Sequence, residues 1–361
     1  MQYKKKLIGL CVIVFLLTLV QVVLPYRPNW TIIYADYIFV PFQSVRNIIF
    51  GWSQLSFGDL FYFVLGLFLV ILPFKWLYYL LTVRSNVHKL THSILNTIIF
   101  AASVYLLFLL GWGGNYYKPS LTNYWHMDVS EWNDDSTELA YDRFLSMKLN
   151  EYAGSYQPLY FMKVRKDAMH YYKEYTDCKA RLHGLNIKPS VYGYLMQHLG
   201  IQGYYNPITG EAQVNRFLPP FMLPFVVLHE MAHQAGIAAE DDANLLAYTI
   251  SVESEDTTFR YSAYLNMWLY NHGRLRRRDS VLADEMKAIL NPLTLHHLDT
   301  LHQIRERYKG DLGKYSTGLY DTYLKMLQQK EGIGSYNRSV ITAWAWEQND
   351  TLRRSKKLPI P

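Results

Sequence analysis

Cysteine is scarce in this sequence: Cys11 and Cys178 are the two in 361 residues. Cys11 lies in an apolar run and Cys178 in the polar half, so no disulfide framework is expected. Neither stands at the spacing of a cysteine metal site. Dense positive charge is also missing. The net charge of +6 is spread along the chain, and the basic run Arg274-Leu275-Arg276-Arg277-Arg278 is short enough to be a solvated helix end. That argues against nucleic acid as a partner. No internal repeat or low-complexity linker divides the chain.

Long apolar runs and tyrosine, in contrast, are plentiful. Half of the residues are hydrophobic, and 31 are tyrosine. Such a composition suits a membrane interface, where one end of the ring is dry and the other wet. Three apolar runs fill the first third, at about 7–24, 60–81 and 94–112. Each approaches the ~20 residues needed to cross the hydrocarbon core. The second contains a single charge, Lys75, near its end, where the side chain can snorkel. A cleaved signal peptide is the rival reading of the first run. The residues after it, Val22-Val23-Leu24-Pro25-Tyr26, are too bulky for a cleavage site, so a retained anchor is expected.

Basic residues set the expected orientation. Lys4, Lys5 and Lys6 favour a cytoplasmic N-terminus, and Arg84 with Lys89 favours the same side for the second loop. Arg27 and Arg46 in the first loop are a weak contrary signal. Three spans then put the rest outside the cytoplasm, which makes the lipid bilayer a partner. The expected organisation is a transmembrane region over 1–112 and an extracytoplasmic domain over 113–361.

After residue 113 charges appear at helical spacing. Helices are expected over 136–152, 167–183, 222–235, 240–252, 258–272, 279–290, 295–309, 318–330 and 336–348. Residues 190–199 read as a helix or an extended segment. Asn206-Pro207 and Thr209-Gly210 are turn signals between short strand-like flanks, so residues 204–215 read as a small hairpin. The fold class is mainly α: three N-terminal membrane helices, then a mostly helical domain.

Chemistry concentrates in His229-Glu230-Met231-Ala232-His233. Imidazoles at i and i+4 share one face of a helix and can reach one ion, here Zn2+. Glu230, beside the first ligand, is the expected general base. A catalytic zinc needs a third protein ligand and an open fourth position. Gly236 is placed to end the first helix in a left-handed conformation, and a second helix can start near Glu240. Glu240 is the expected third ligand. Asp241 and Asp242 compete for that role, with Glu253 and Glu255 more distant. Asn244, one turn beyond Glu240, is placed to hydrogen-bond a ligand.

The pattern H-E-x-x-H-x-x-G-x-x-x-E-x-x-x-N resembles zincin peptidases. Its second half looks like the gluzincin pattern, in which Glu is the third ligand. Asn244 stands where Asp is usual there, and the gap from His233 to Glu240 is short. The spacing up to Gly236 is similar to the metzincin layout, but the third histidine of that layout would fall on Ala239. The chain as a whole resembles the DUF3810 family of bacterial membrane proteins. The likeness is carried by the three spans, Trp112 to Tyr116, Tyr205 to Ala212, the His229 to Gln234 run, and Arg260-Tyr261-Ser262. It implies a membrane protein with a peptidase motif and brings no substrate with it.

The expected function is a zinc metallopeptidase of the inner membrane, acting on a peptide or protein on the periplasmic side. The alternative is a non-catalytic envelope protein with a structural zinc. Residues 204–215, Tyr205 among them, are either an edge against which a peptide lies or a plain surface hairpin. Arg260, Tyr261 or Tyr264 is a candidate to stabilise an oxyanion. The competing role for Arg260 is an ion pair with Glu253 or Asp256.

Overall fold

The structure is a computed structural model that describes residues 2–26, 28–132, 136–178, 184–326, 335–355 and 357–361. Expected helix ends at 179–183 and 327–330, and Arg27, lie outside the described residues. The chain is mostly helical.

Helices α1 (Gln2–Tyr26), α4 (Phe57–Leu81) and α5 (Val83–Gly111) are each long and apolar enough to cross a membrane. Between the first two lie α2 (Pro28–Tyr34), a π turn (Ala35–Phe39) and α3 (Val40–Gly51). The membrane helices outrun their apolar cores because polar flanks continue the backbone hydrogen-bond ladder. Thus α5 starts at Val83, well before the apolar run at 94.

Tyr3 donates to the His88 carbonyl, Lys6 meets His92, and Gln21 donates to Tyr105. These contacts make α1 and α5 run side by side in the same direction. α4 joins α5 through Thr82 alone and runs the other way. The end of α1, the start of α4 and the end of α5 therefore share one face. Lys4, Lys5 and Lys6 sit at the opposite end.

Besides short helical turns at Gly113–Tyr117, Leu121–Tyr124 and Asp350–Arg353, the remaining helices among the described residues are α6 (Ser136–Ala153), α7 (Phe161–Tyr175), α8 (Gly193–Leu199), α9 (Leu223–Gln234), α10 (Glu240–Glu253), α11 (Thr257–Arg278), α12 (Ser280–Ala288), α13 (Pro292–Tyr308), α14 (Asp311–Met326) and α15 (Ser335–Glu347). The core gathers around α9, α10 and α11, with Leu228, Met231, Leu246 and Leu265 fully enclosed. The expected hairpin exists as β2 (Gly203–Asn206) and β3 (Glu211–Val214), but it is part of a three-stranded sheet. β1 (Ile187–Pro189) pairs parallel to β3, and the order is β1-β3-β2. Three residues containing Lys and Pro show no alternation, so β1 left no signal in the sequence. The segment at 190–199 becomes helical only from Gly193.

Packing ties part of the expected 1–112 region to the residues beyond it. Residues 28–59 are built into the domain. Arg46 donates to the Pro207 carbonyl, and Gln43 donates to the Gly210 carbonyl and accepts from Tyr205. Lys188, almost fully buried, donates to the Phe50 and Leu55 carbonyls and to Glu211. Glu211 in turn accepts from the Phe57 and Gly58 amides at the first turn of α4. Asp59 accepts from Ser190, Val191 and Tyr204. The segment between the first two long apolar helices is thus clamped to the sheet by buried polar contacts, with Lys188 ion-paired to Glu211 and with Arg46 and Asp59 held by hydrogen bonds.

Candidate metal centre

α9 reads Leu-Pro-Phe-Val-Val-Leu-His-Glu-Met-Ala-His-Gln, with Pro224 in its first turn, where a missing N–H costs nothing. The Phe225 amide donates to Ser262, and the Leu228 carbonyl accepts from Tyr172. These bonds and the apolar packing hold the helix, and its His229–Glu230–His233 face is left lining a cleft. Gly236 ends it at φ +93°, a backbone conformation that favours glycine. The Ile237 amide bonds back to Ala232 and the Gly236 amide to His233, the paired reversal of a Schellman cap. The turn brings the Ile237 carbonyl to 2.7 Å from His233 Nδ1. With that nitrogen donating, Nε2 keeps its lone pair for an ion.

α10 starts immediately after, at Glu240. One carboxylate oxygen lies 3.3 Å from His229 Nε2 and the other 3.4 Å from His233 Nε2. The ligand atoms of the three residues all fall within 4.8 Å of one another. Tetrahedral zinc with bonds of about 2.1 Å has ligand-to-ligand edges of about 3.4 Å, so the donor set fits such an ion. Among the described residues this is the one such group, and it has no fourth His, Cys, Asp or Glu. Glu240 and His233 are buried, and His229 is nearly so.

Burial alone would raise the Glu240 carboxyl, but the two imidazoles outweigh it and hold Glu240 well below the usual carboxylate range. Burial likewise opposes the charge on His233, yet Glu240 lifts it to about 9. Glu230 behaves differently. Burial pushes it up to about 7. Its Oε2 is buried with no hydrogen-bond partner among the described residues.

The three candidate ligands and Glu230 line a cleft of about 510 Å³. Its walls include Gly203, Tyr204 and Tyr205 from β2, Trp112 and Tyr116 just after α5, and Tyr270 from α11. Gly203 lies directly on Glu230: a Cβ there would stand 2.5 Å from Oε1. Trp112 packs against Tyr205 with the rings tilted and their centres 4.4 Å apart, and it sets its ring edge-on to His233 at 6.0 Å. β2 is an outer strand of the sheet and runs along the cleft.

The profile of a family described as "Protein of unknown function (DUF3810)" matches residues 34–342. The chain belongs to the DUF3810 family. No curated protein and no solved structure matches it.

In this DUF3810 chain some expected site residues come together and others do not. His229, Glu230, His233, Glu240, Asn244 and Tyr205 all line the cleft. Asn244 spends its amide on Ser339 of α15 and makes no bond to a ligand histidine. Asp242 accepts from the Leu121 amide and Asp241 pairs with Arg338, so neither competes as a ligand. Glu253 is held by Arg353.

Arg260 and Tyr261 do not line the cleft. Arg260 donates to the Ser254 carbonyl at the end of α10 and to Tyr152, not to Glu253 or Asp256. Tyr261 bonds Thr294 and His297. Both belong to the first turns of α11, whereas the cleft is reached by Tyr270, more than two turns later. Burial and the nearby Glu240 hold the Tyr270 hydroxyl far above its usual value, so it stays a proton donor. Nothing in the sequence around Tyr270 marks it. Trp112 and Tyr116 carry a signal only as part of the family likeness.

Proposed function

We propose that this chain is a membrane-anchored zinc metallopeptidase with its site on the extracytoplasmic side. One observation carries the reading. The Glu240 carboxylate spans both histidine Nε2 atoms beside a Glu230 oxygen that has no partner among the described residues, in an open cleft. His229, His233 and Glu240 would hold the ion. When bound, zinc supplies Lewis-acid chemistry, lowering the pKa of a water and polarising a carbonyl.

The protein groups do the rest. Glu230 takes the proton of the attacking water and passes it to the leaving amine nitrogen. Its burial favours both steps, since a carboxyl pushed up to about 7 binds and releases a proton near neutral pH. β2 offers an outer strand along which an extended peptide can lie, with Gly203 leaving room against Glu230. Tyr270, protonated and at the cleft wall, is placed to donate to the developing oxyanion.

The extracytoplasmic, periplasmic placement rests on Lys4 to Lys6 at the opposite end of the membrane bundle from the domain. A structural zinc is the second reading. Structural sites are closed by four protein ligands, and here three converge on a cleft. The test is Glu230→Gln. It is expected to abolish peptide hydrolysis while zinc content stays at one per chain. Unchanged activity would refute the mechanism, and wild-type protein without zinc would refute the site.

A further inference from the structure

The segment between the first two membrane helices is amphipathic in reverse. Along the π turn and α3, Phe39, Gln43 and Arg46 face the protein and are buried. Ile38, Phe42, Val45, Ile49 and Trp52, spaced four, three, four and three apart, form a second stripe, about 100° round the helix from the buried one, and are exposed. Ile48, on the side facing directly away from Gln43 and Arg46, is 69% exposed, and Trp52 is 77% exposed. A stripe of this kind, left open to water, marks an interaction surface.

Topology says what meets it. The segment leaves the membrane bundle at the end of α1 and returns to it at the start of α4. Those two points lie on the same face, as the pairing of α1 with α5 and the tight α4–α5 connection require. It therefore does not cross. Its polar face is already used, because Gln43 and Arg46 hold the β2–β3 turn. Exposed apolar residues also occur in the stretches that lead to the two long apolar helices: Ile32 and Ile33 on one side and Leu55 on the other. Tryptophans near its two ends, Trp30 and Trp52, are exposed, which is the composition of an element lying at the headgroup level.

We infer that residues 30–55 form an in-plane interfacial element, with the stripe Ile38 to Trp52 sunk into the lipid of the leaflet next to the domain. The occupant of the stripe is the bilayer itself. This placement sets the β2–β3 turn at the cleft about one helix diameter, roughly 10 Å, from lipid.

The test uses the full-length chain in vesicles of phosphatidylcholine and phosphatidylglycerol. In a Cys11→Ser background, with Cys178 buried, an environment-sensitive fluorophore is attached at Ile48→Cys, Val45→Cys or Met147→Cys. Met147 is a 62% exposed position on α6, away from the stripe. Labels at 48 and 45 are expected to emit blue-shifted light. They should be quenched several-fold more strongly by lipid nitroxides near the headgroup than by nitroxides at mid-chain. The label at 147 should behave as in water. Water-like emission at both 45 and 48, stronger quenching from mid-chain, or protection by cross-linking to a second copy would each overturn the placement.

Discussion

Replacing Gly236 with alanine tests how the candidate metal centre is built. The residue sits at φ +93°, where an L side chain is strained, at a cost of about 1–2 kcal/mol. An added Cβ would also stand 2.5 Å from Phe39 Cε1 and 3.1 Å from Lys118 Nζ. Phe39 is wholly enclosed and cannot swing away, so crowding adds about 1–3 kcal/mol. The combined loss is about 2–5 kcal/mol. Relief of the clash must move the turn that carries the Ile237 carbonyl. His233 then loses the bond that orients it, and zinc affinity is expected to fall about 10–100-fold.

Gly200 supplies the control. Its φ of +70° is similarly left-handed, yet nothing lies within 4 Å of an added Cβ. Gly200→Ala should cost only the backbone term, about 1–2 kcal/mol, and leave zinc affinity unchanged. Thermal unfolding of the zinc-free proteins in detergent and competition against a chromophoric chelator measure both quantities. If the two variants lose equal stability and bind zinc equally well, the argument from Phe39 and the Ile237 carbonyl fails.

Three further outcomes are expected. Gly203→Ala should push the Glu230 carboxyl aside and lower kcat by at least about 10-fold while zinc content holds, since small misplacements of catalytic groups are costly; normal turnover by the folded variant would show that the contact is slack. Tyr270→Phe should lower kcat about 10–1,000-fold with a smaller change in KM, as for removal of an oxyanion donor; a loss confined to KM would assign it to binding alone. Lys188→Met leaves Glu211 buried beside the start of α4 without its cation and should destabilise the fold by about 3–5 kcal/mol. A denaturation midpoint within error of wild type would mean that the clamp between sheet and membrane helix carries little stability.

Periodicity and spacing made much of this molecule legible. The three membrane helices follow from run length, and the α9–Gly236–α10 unit follows from one short stretch. His229, His233 and Glu240 lie within twelve residues joined by two helix turns and a glycine cap, so local backbone geometry alone brings them together. Glu211 and Lys188 could not be read this way. Each looks like an ordinary surface charge in sequence, and their partners at residues 50–58 are more than 130 positions away. Arg260 and Tyr261 were attractive because they are charged or polar and follow the helices that carry the candidate ligands. Helix rotation turns them to Ser254 and His297 instead, and brings Tyr270 to the cleft.

By itself, then, the sequence determined what short-range physics controls: which segments suit lipid, where a helix must stop, and which side chains share a face across a single turn. Tertiary structure decided what depends on packing between distant segments. It folded residues 28–59 onto the sheet, set β2 against Glu230, and completed the cleft with Trp112, Tyr116 and Tyr270. Those choices rest on which buried polar groups find partners once the helices are in place, and no local pattern records that pairing.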